Sequence, residues 1–325
     1  MATTFKQFLN NDVTTTRTLL HENIPITGSI VSGTYNQGSS TTETNIKNYS
    51  HGLFQSVFDY PFLSSSANHI FDITVGYSSE SALSSSDNTQ NADKINIYNQ
   101  MAQILVGHDV DGTIRRFDAD GDFAAGGDKL DEVFFINVAR LLGKDEIKKG
   151  SFEIEFGITG SGVATSYSNG LTASFNGLNF GKRMKVKDLS GSTSFLSNSP
   201  AGEYGILYAT SSTTDGSTFI GTANNKETPV GLIYYQAGIA VISGSLFNAV
   251  DSSSGFASGP GILTASSGVD SKHPRGYSTV GLGNPSNKTA GPTGFNFITG
   301  SSISGSAAAI RNRIYNISFN NTTEL

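Results

Sequence analysis

The sequence predicts an α+β fold that is mostly β, its antiparallel sheets stacked as in a sandwich, with a few helices in the N-terminal half. Three observations predict it. Residues 151–158 alternate strictly, with Phe152, Ile154, Phe156 and Ile158 on one side and Glu153, Glu155 and Gly157 on the other. That is the period of a half-buried strand. The longest apolar run, residues 229–247, is interrupted by Gly231, Gly238 and Gly244, and each glycine costs a helix about 1 kcal/mol relative to alanine. Helical spacings nearly vanish after residue 160, where short apolar segments alternate with polar turns.

Five segments follow in order. Residues 1–23 read as an N-terminal arm, with Phe5, Phe8 and Leu9 placed to seat it on a neighbour. Residues 14–20 suit a short strand or a helical turn. Ordered structure is expected from Ile24-Pro25-Ile26, opening a mixed α/β part over 24–158. There the spacing of Ile46, Tyr49, Leu53, Phe54 and Val57 predicts one face of a helix, stopped by Pro61. Residues 70–77 predict a strand. Ile95, Tyr98, Met101, Ala102 and Leu105 predict a helix over 92–106 that ends at Gly107. Residues 131–142 are a second helix, or a strand running into one.

Residues 159–250 form the expected β-rich core, with strands at 171–180, 183–187, 204–210 and 229–247. In the last of these, 232–235 and 239–242 read as two buried strands broken at Gly238, or as one strand bulged there. A run apolar on both faces predicts cover on both sides. It is too short and too interrupted for a bilayer span, which needs about 20 mostly apolar residues. Residues 251–304 are a long Ser/Gly-rich surface segment anchored by Phe256, Tyr277, Phe295 and Phe297. A compact monomer rarely keeps so much irregular chain, so the expectation is that a partner orders it. A returning strand is expected over 305–325, with Ile310, Ile314, Ile317 and Phe319 as its contacts.

Composition narrows the classes. Of 325 residues only 15% are charged, and the net charge is −6. With no long basic patch, direct nucleic-acid binding is not expected. The cluster Lys182-Arg183-Met184-Lys185-Val186-Lys187 reads as a strand with a solvated face. There is no cysteine, which excludes disulfides and thiolate metal sites. Residues 1–11 lack the apolar core of a secretory signal, so synthesis in a cytoplasm is expected.

The best candidate for site chemistry is Asp118-Ala-Asp-Gly-Asp122. Alternating aspartates on a turn are what calcium, a hard cation that prefers oxygen, uses as ligands. The helix-loop-helix calcium pattern nevertheless fails here: its sixth position is Phe123 instead of glycine, and its twelfth is Lys129 instead of glutamate. The competing reading is an acidic turn whose aspartates bind their own backbone.

Catalytic motifs are not found. His21, His51, His69, His108 and His273 stand far apart in sequence, without a helical zinc pair. No Gly-x-Ser-x-Gly elbow is framed by strand and helix, and no glycine-rich segment ends in Gly-Lys-Ser/Thr. Glu153 and Glu155 share a strand face about 7 Å apart, which reads as the solvated side of an amphipathic strand. No small-molecule substrate is expected.

Four phrases carry a resemblance: Lys129-Leu-Asp-Glu-Val-Phe-Phe135, Ala139-Arg-Leu-Leu-Gly-Lys-Asp145, Val230-Gly-Leu-Ile-Tyr-Tyr-Gln-Ala-Gly-Ile-Ala-Val-Ile242 and Ile317-Ser-Phe-Asn-Asn-Thr-Thr-Glu-Leu325. Together they resemble virion structural proteins of large contractile-tailed phages, especially those of marine and cyanobacterial hosts. The resemblance implies a non-enzymatic part of the particle, in tail, baseplate or neck, whose partners are copies of itself and other virion proteins. It also implies a chain that continues past Leu325. Two other roles stand beside it. A receptor- or carbohydrate-binding module would need an exposed cleft using Tyr204, Tyr208, Tyr234 or Tyr235. An envelope-polymer hydrolase would need paired carboxylates in a pocket.

Overall fold

A computed structural model describes residues 17–18, 25–31, 43–160 (apart from 82, 85, 86, 125, 128 and 144), 180–212, 218–219, 228–244 and 302–324 (apart from 312 and 313). The expected anchors Phe5, Phe8, Leu9, Phe256, Tyr277, Phe295 and Phe297 lie outside the described residues, as do all but the last residue of the expected strand at 171–180 and nearly all of 251–304.

The strands are β1 (Arg17–Thr18), β2 (Ile26–Thr27), β3 (Ile46–Asn48), β4 (Gln55–Phe58), β5 (His69–Tyr77), β6 (Glu132–Asn137), β7 (Glu146–Ile147) and β8 (Glu153–Gly160). They continue as β9 (Phe180–Asp188), β10 (Leu196–Ser199), β11 (Gly202–Ser212), β12 (Thr218–Phe219), β13 (Thr228–Tyr234), β14 (Ile239–Ser243), β15 (Ile314–Ser318) and β16 (Asn321–Glu324). The helices among the described residues are α1 (Gly28–Val31), α2 (Asn91–Leu105), α3 (Ala139–Leu142), α4 (Gly191–Ser194) and α5 (Ile303–Arg311). The fold is α+β and dominated by antiparallel sheet. None of these helices is long and apolar enough to cross a membrane.

Thirteen strands form one sheet in the order β2-β15-β8-β9-β11-β13-β14-β6-β5-β4-β3, with β10 and β12 added to β11. A second sheet of three strands runs β1-β16-β7. Each recorded pairing is antiparallel. The apolar run is a hairpin of β13 and β14, turned at Gly238, whose φ of +64° suits glycine. A side chain there would also strike Ala139 and Leu142 of α3. Strand β14 then pairs with β6, joining Val241 to Phe135 and Ile242 to Phe134.

Both faces of this centre are covered, as its two-sided apolarity predicts. On one face Phe134, Ile136, Ile233, Ala240 and Ile242 share a core with Ile154 and Phe156 of β8, Ile314 and Ile317 of β15, and Ile303, Ala307 and Ile310 of α5. On the other, Val133, Phe135, Leu232, Tyr234 and Val241 pack against Tyr98, Ala102 and Leu105 of α2 and Phe117, Phe123 and Leu130 of the loop that follows it. Helix α2 passes so close over β5 that a Cβ on Gly76 would lie 2.9 Å from both the Lys94 carbonyl oxygen and the Tyr98 nitrogen. Residues near both ends of the large sheet, Ile26 of β2 and Ile46 of β3, belong to the first core, so the sheet curls until its ends share one interior.

Three expectations are corrected. The helix predicted from Ile46 to Val57 is the hairpin β3–β4, in which Ile46 and Val57 are direct cross-strand partners. Gly52, with φ of +69°, sits in its turn. The returning strand expected over 305–325 begins as helix α5, and only 314–318 and 321–324 are strand. The face of Glu153 and Glu155 is not simply solvated: Glu155 is buried, and Lys185 and Lys187 of β9 cover Glu153. Of the alternatives left open at 131–142, the strand running into a helix is the one observed.

Candidate metal centre

The three aspartates lie in the loop between α2 and β6, which crosses the second core. Its base is fixed by aromatic residues. The Tyr98 hydroxyl donates to the Leu130 carbonyl (2.9 Å) and accepts from the Phe117 N–H (3.2 Å). The Phe117 ring stands edge-on to Tyr98, with centroids 5.4 Å apart, and tilts against Phe135 at 5.7 Å. The Leu130 N–H reaches the Phe117 carbonyl (2.9 Å), and Asp118 bridges Lys129. Residues 118–129 therefore leave and re-enter the core at one point.

Their tip is held from β11. Phe123, in left-handed backbone at φ of +56°, stacks on Tyr204 with centroids 5.1 Å apart. The Tyr204 hydroxyl donates to the Gly121 carbonyl at 2.6 Å. A non-glycine residue takes such a φ only where its surroundings fix it, and the stack supplies that restraint. The position that breaks the sequence pattern for calcium is thus the residue that clamps the loop.

One carboxylate oxygen from each of Asp118, Asp120 and Asp122 lies within 4.8 Å of the other two. Asp118 is fully buried, while Asp120 and Asp122 are exposed. Asp118 Oδ2 meets the Lys129 ammonium, which also donates to the Ala124 carbonyl. Asp118 Oδ1 has no hydrogen-bond partner. Asp120 and Asp122 each accept one backbone N–H, from Asp122 (3.3 Å) and Ala124 (2.7 Å). Burial pushes the Asp118 carboxyl above its ordinary range, Lys129 pulls it down, and the facing Asp120 pushes it up again. Lys129, which also breaks the helix-loop-helix pattern, is a partner of the site that residue spacing did not reveal.

Other chemistry tested in the sequence resolves differently. His69 Nε2 lies 2.6 Å from Asp72 Oδ1, and the Ser56 hydroxyl donates to the same oxygen at 2.5 Å. In a nucleophile relay the imidazole stands between hydroxyl and carboxylate. Here the carboxylate stands between the other two, and Ser56 is buried, so the group ties β4 to β5. His51 is stacked beside Tyr49 (5.1 Å). Tyr204, Tyr234 and Tyr235 are fully buried, so they do not offer the exposed aromatic face that a saccharide needs.

No protein-family model, curated protein or solved structure matches the chain.

Proposed function

We propose that this chain is a non-enzymatic structural subunit of a tailed-phage virion, in tail, baseplate or neck, which assembles with copies of itself and with other virion proteins. The observation that carries this reading is where the four resembling phrases sit. They are spread between residues 129 and 325, and the structure brings them together. Residues 230–242 are the central hairpin, and 129–135 supply the strand paired with it. Residues 139–145 hold the helix against which Gly238 is packed. Residues 317–325 contain β16, which pairs with β7, and the Ile147 N–H of β7 bonds the Tyr235 carbonyl at 3.1 Å. Phrases that form one packed centre are where a fold common to a group of proteins would leave its signature, and this placement supports the reading.

The interior also supports the reading. Among its buried polar groups, Tyr235, Asp188 and Arg311 tie separate elements together. A scaffold of this kind leaves its polar periphery to make wet, extensive contacts in a symmetric assembly.

The test is mass spectrometry and cryo-electron microscopy of purified particles from the phage that encodes the chain. The expected result is a ring or sheath of copies. Absence from the particle, together with hydrolysis of envelope polymer by the purified protein, overturns the reading.

A further inference from the structure

We propose that Asp118, Asp120 and Asp122 bind one Ca2+ ion, with Lys129 retained on the far oxygen of Asp118. Three carboxylates converging on a loop are not by themselves a site. The second observation is Asp118 Oδ1: it is buried, belongs to a residue with no solvent exposure, and has no hydrogen-bond partner. A buried acceptor left unmet costs about 1–3 kcal/mol, and such groups in native proteins are rare. Lys129 is turned towards Oδ2 and the Ala124 carbonyl and makes no bond to Oδ1. Nor does Asp120, whose carboxylate faces Asp118 and carries no proton to give when ionised. A cation between them satisfies all three groups at once.

The dimensions suit calcium. Oxygens bound at about 2.3–2.6 Å span about 4.6–5.2 Å across the ion, whereas magnesium at about 2.0–2.1 Å spans only about 4.2 Å and demands a near-ideal octahedron. Ligand atoms that all lie within 4.8 Å of one another fit inside the calcium shell, and a set of one buried and two exposed carboxylates suits its flexible geometry better than a fixed octahedron. Two of the three aspartates are exposed, so water completes the shell from the solvent side. Gly127 keeps the inner side clear, since a Cβ there would lie 3.3 Å from Asp118 Oδ1. The charge balance is also favourable: three carboxylates and one ammonium leave two negative charges for a divalent ion.

The ion would fix the turn that carries Phe123 into the core, so binding should be read in stability as well as in affinity. The experiment uses the full chain, stripped with a chelator, and its D120N and D122N variants. Both substitutions are at exposed positions, so folding is preserved. Calorimetric titration with CaCl2 should show one saturable site per chain. Tb3+ should give tyrosine-sensitised emission, because Tyr204 touches Gly121 of the loop. Each variant should weaken binding at least tenfold and lose the Ca2+-dependent rise in Tm. Binding that does not saturate at one ion, equal binding in both variants, or equal affinity for MgCl2 overturns the proposal.

Discussion

Arg311 Nη2 lies 2.7 Å from Glu43 Oε2, and the guanidinium that makes this bond is fully buried. The same group donates through Nε to Gln55 Oε1 at 3.2 Å and through Nη1 to the Val31 carbonyl. Val31 follows β2 at one end of the large sheet, whereas Glu43 and Gln55 flank β3 and lie in β4 at the other. The sheet ends therefore meet through one side chain at the last residue of α5, where a cation also suits the helix terminus. Asn45 adds to the closure, donating to the Ile30 carbonyl at 2.5 Å. Arg311→Met keeps much of the volume and removes every donor. Breaking a buried ion pair from one side costs about 3–5 kcal/mol. Urea denaturation should show that loss, and Arg311→Lys should recover only part of it, because an ammonium cannot span three acceptors in a fork. A midpoint for Arg311→Met equal to that of the parent would show that the closure is carried elsewhere.

Gly76 tests how tightly α2 is laid on β5. The obstacles to a side chain there are backbone atoms of Lys94 and Tyr98, which cannot rotate away. Overpacking of this kind costs about 1–3 kcal/mol. Gly76→Ala should fall in that range by chemical denaturation. Gly126→Ala, with nothing within 4 Å of the added atom, should change stability by less than about 1 kcal/mol. Equal effects at the two positions would mean that α2 gives way easily.

Lys94 gives stability an alkaline dependence. It is buried in α2, its ammonium donates to the Thr89 carbonyl at 2.7 Å, and burial lowers its pKa from 10.5 to about 8. The folded chain thus holds this proton less firmly than the unfolded chain. Between about pH 8 and the unfolded value the unfolded state binds more protons, so this group makes stability rise with pH through that window. Lys94→Met removes the charge and keeps the apolar stem. The variant should be more stable than the parent at pH 7, and the gap should narrow towards pH 10. A gap that stays constant with pH would place the effect in packing.

Much of this fold was legible because its signals are local. Strict alternation at 152–158 gave β8, and Gly107 stopped α2 where expected. The hairpin was legible from its interrupted apolar run. The β3–β4 hairpin was misread because two short strands with a turn between them place apolar residues at intervals of three and four by accident. Only Ile46 and Val57 of that set are fully buried, and they face each other across the pair. Helix α5 was hidden by its surroundings of serine and glycine. Its run Ala307-Ala-Ala309 carries the strongest intrinsic helix preference and was the available signal. The aspartate loop was legible as a cluster. Its clamp by Phe123 and Tyr204 was not, since those residues are 81 positions apart and meet only through tertiary packing.

Tyr235 and Gly205 make a final, sharper test. The Tyr235 hydroxyl donates to Asp188 Oδ2 at 2.8 Å, and that carboxylate also accepts the N–H groups of Gly150 (2.7 Å) and Gly191 (3.0 Å). The hydroxyl fits because two glycines leave room. A Cβ on either Gly191 or Gly205 would collide with it. Tyr235→Phe alone removes one donor from a buried carboxylate and should cost about 1–3 kcal/mol. Gly205→Ala alone should cost at least as much, because the methyl pushes the ring off Asp188 and β11 off β13. The two costs should not add. Once the hydroxyl is gone, the methyl has lost its main obstacle, so Gly205→Ala should be milder in the Tyr235→Phe background. A double-mutant cycle reads this directly, with a coupling of about 0.5–3 kcal/mol expected for residues in contact. Strict additivity would mean that the hydroxyl and the glycine do not share the space described for them.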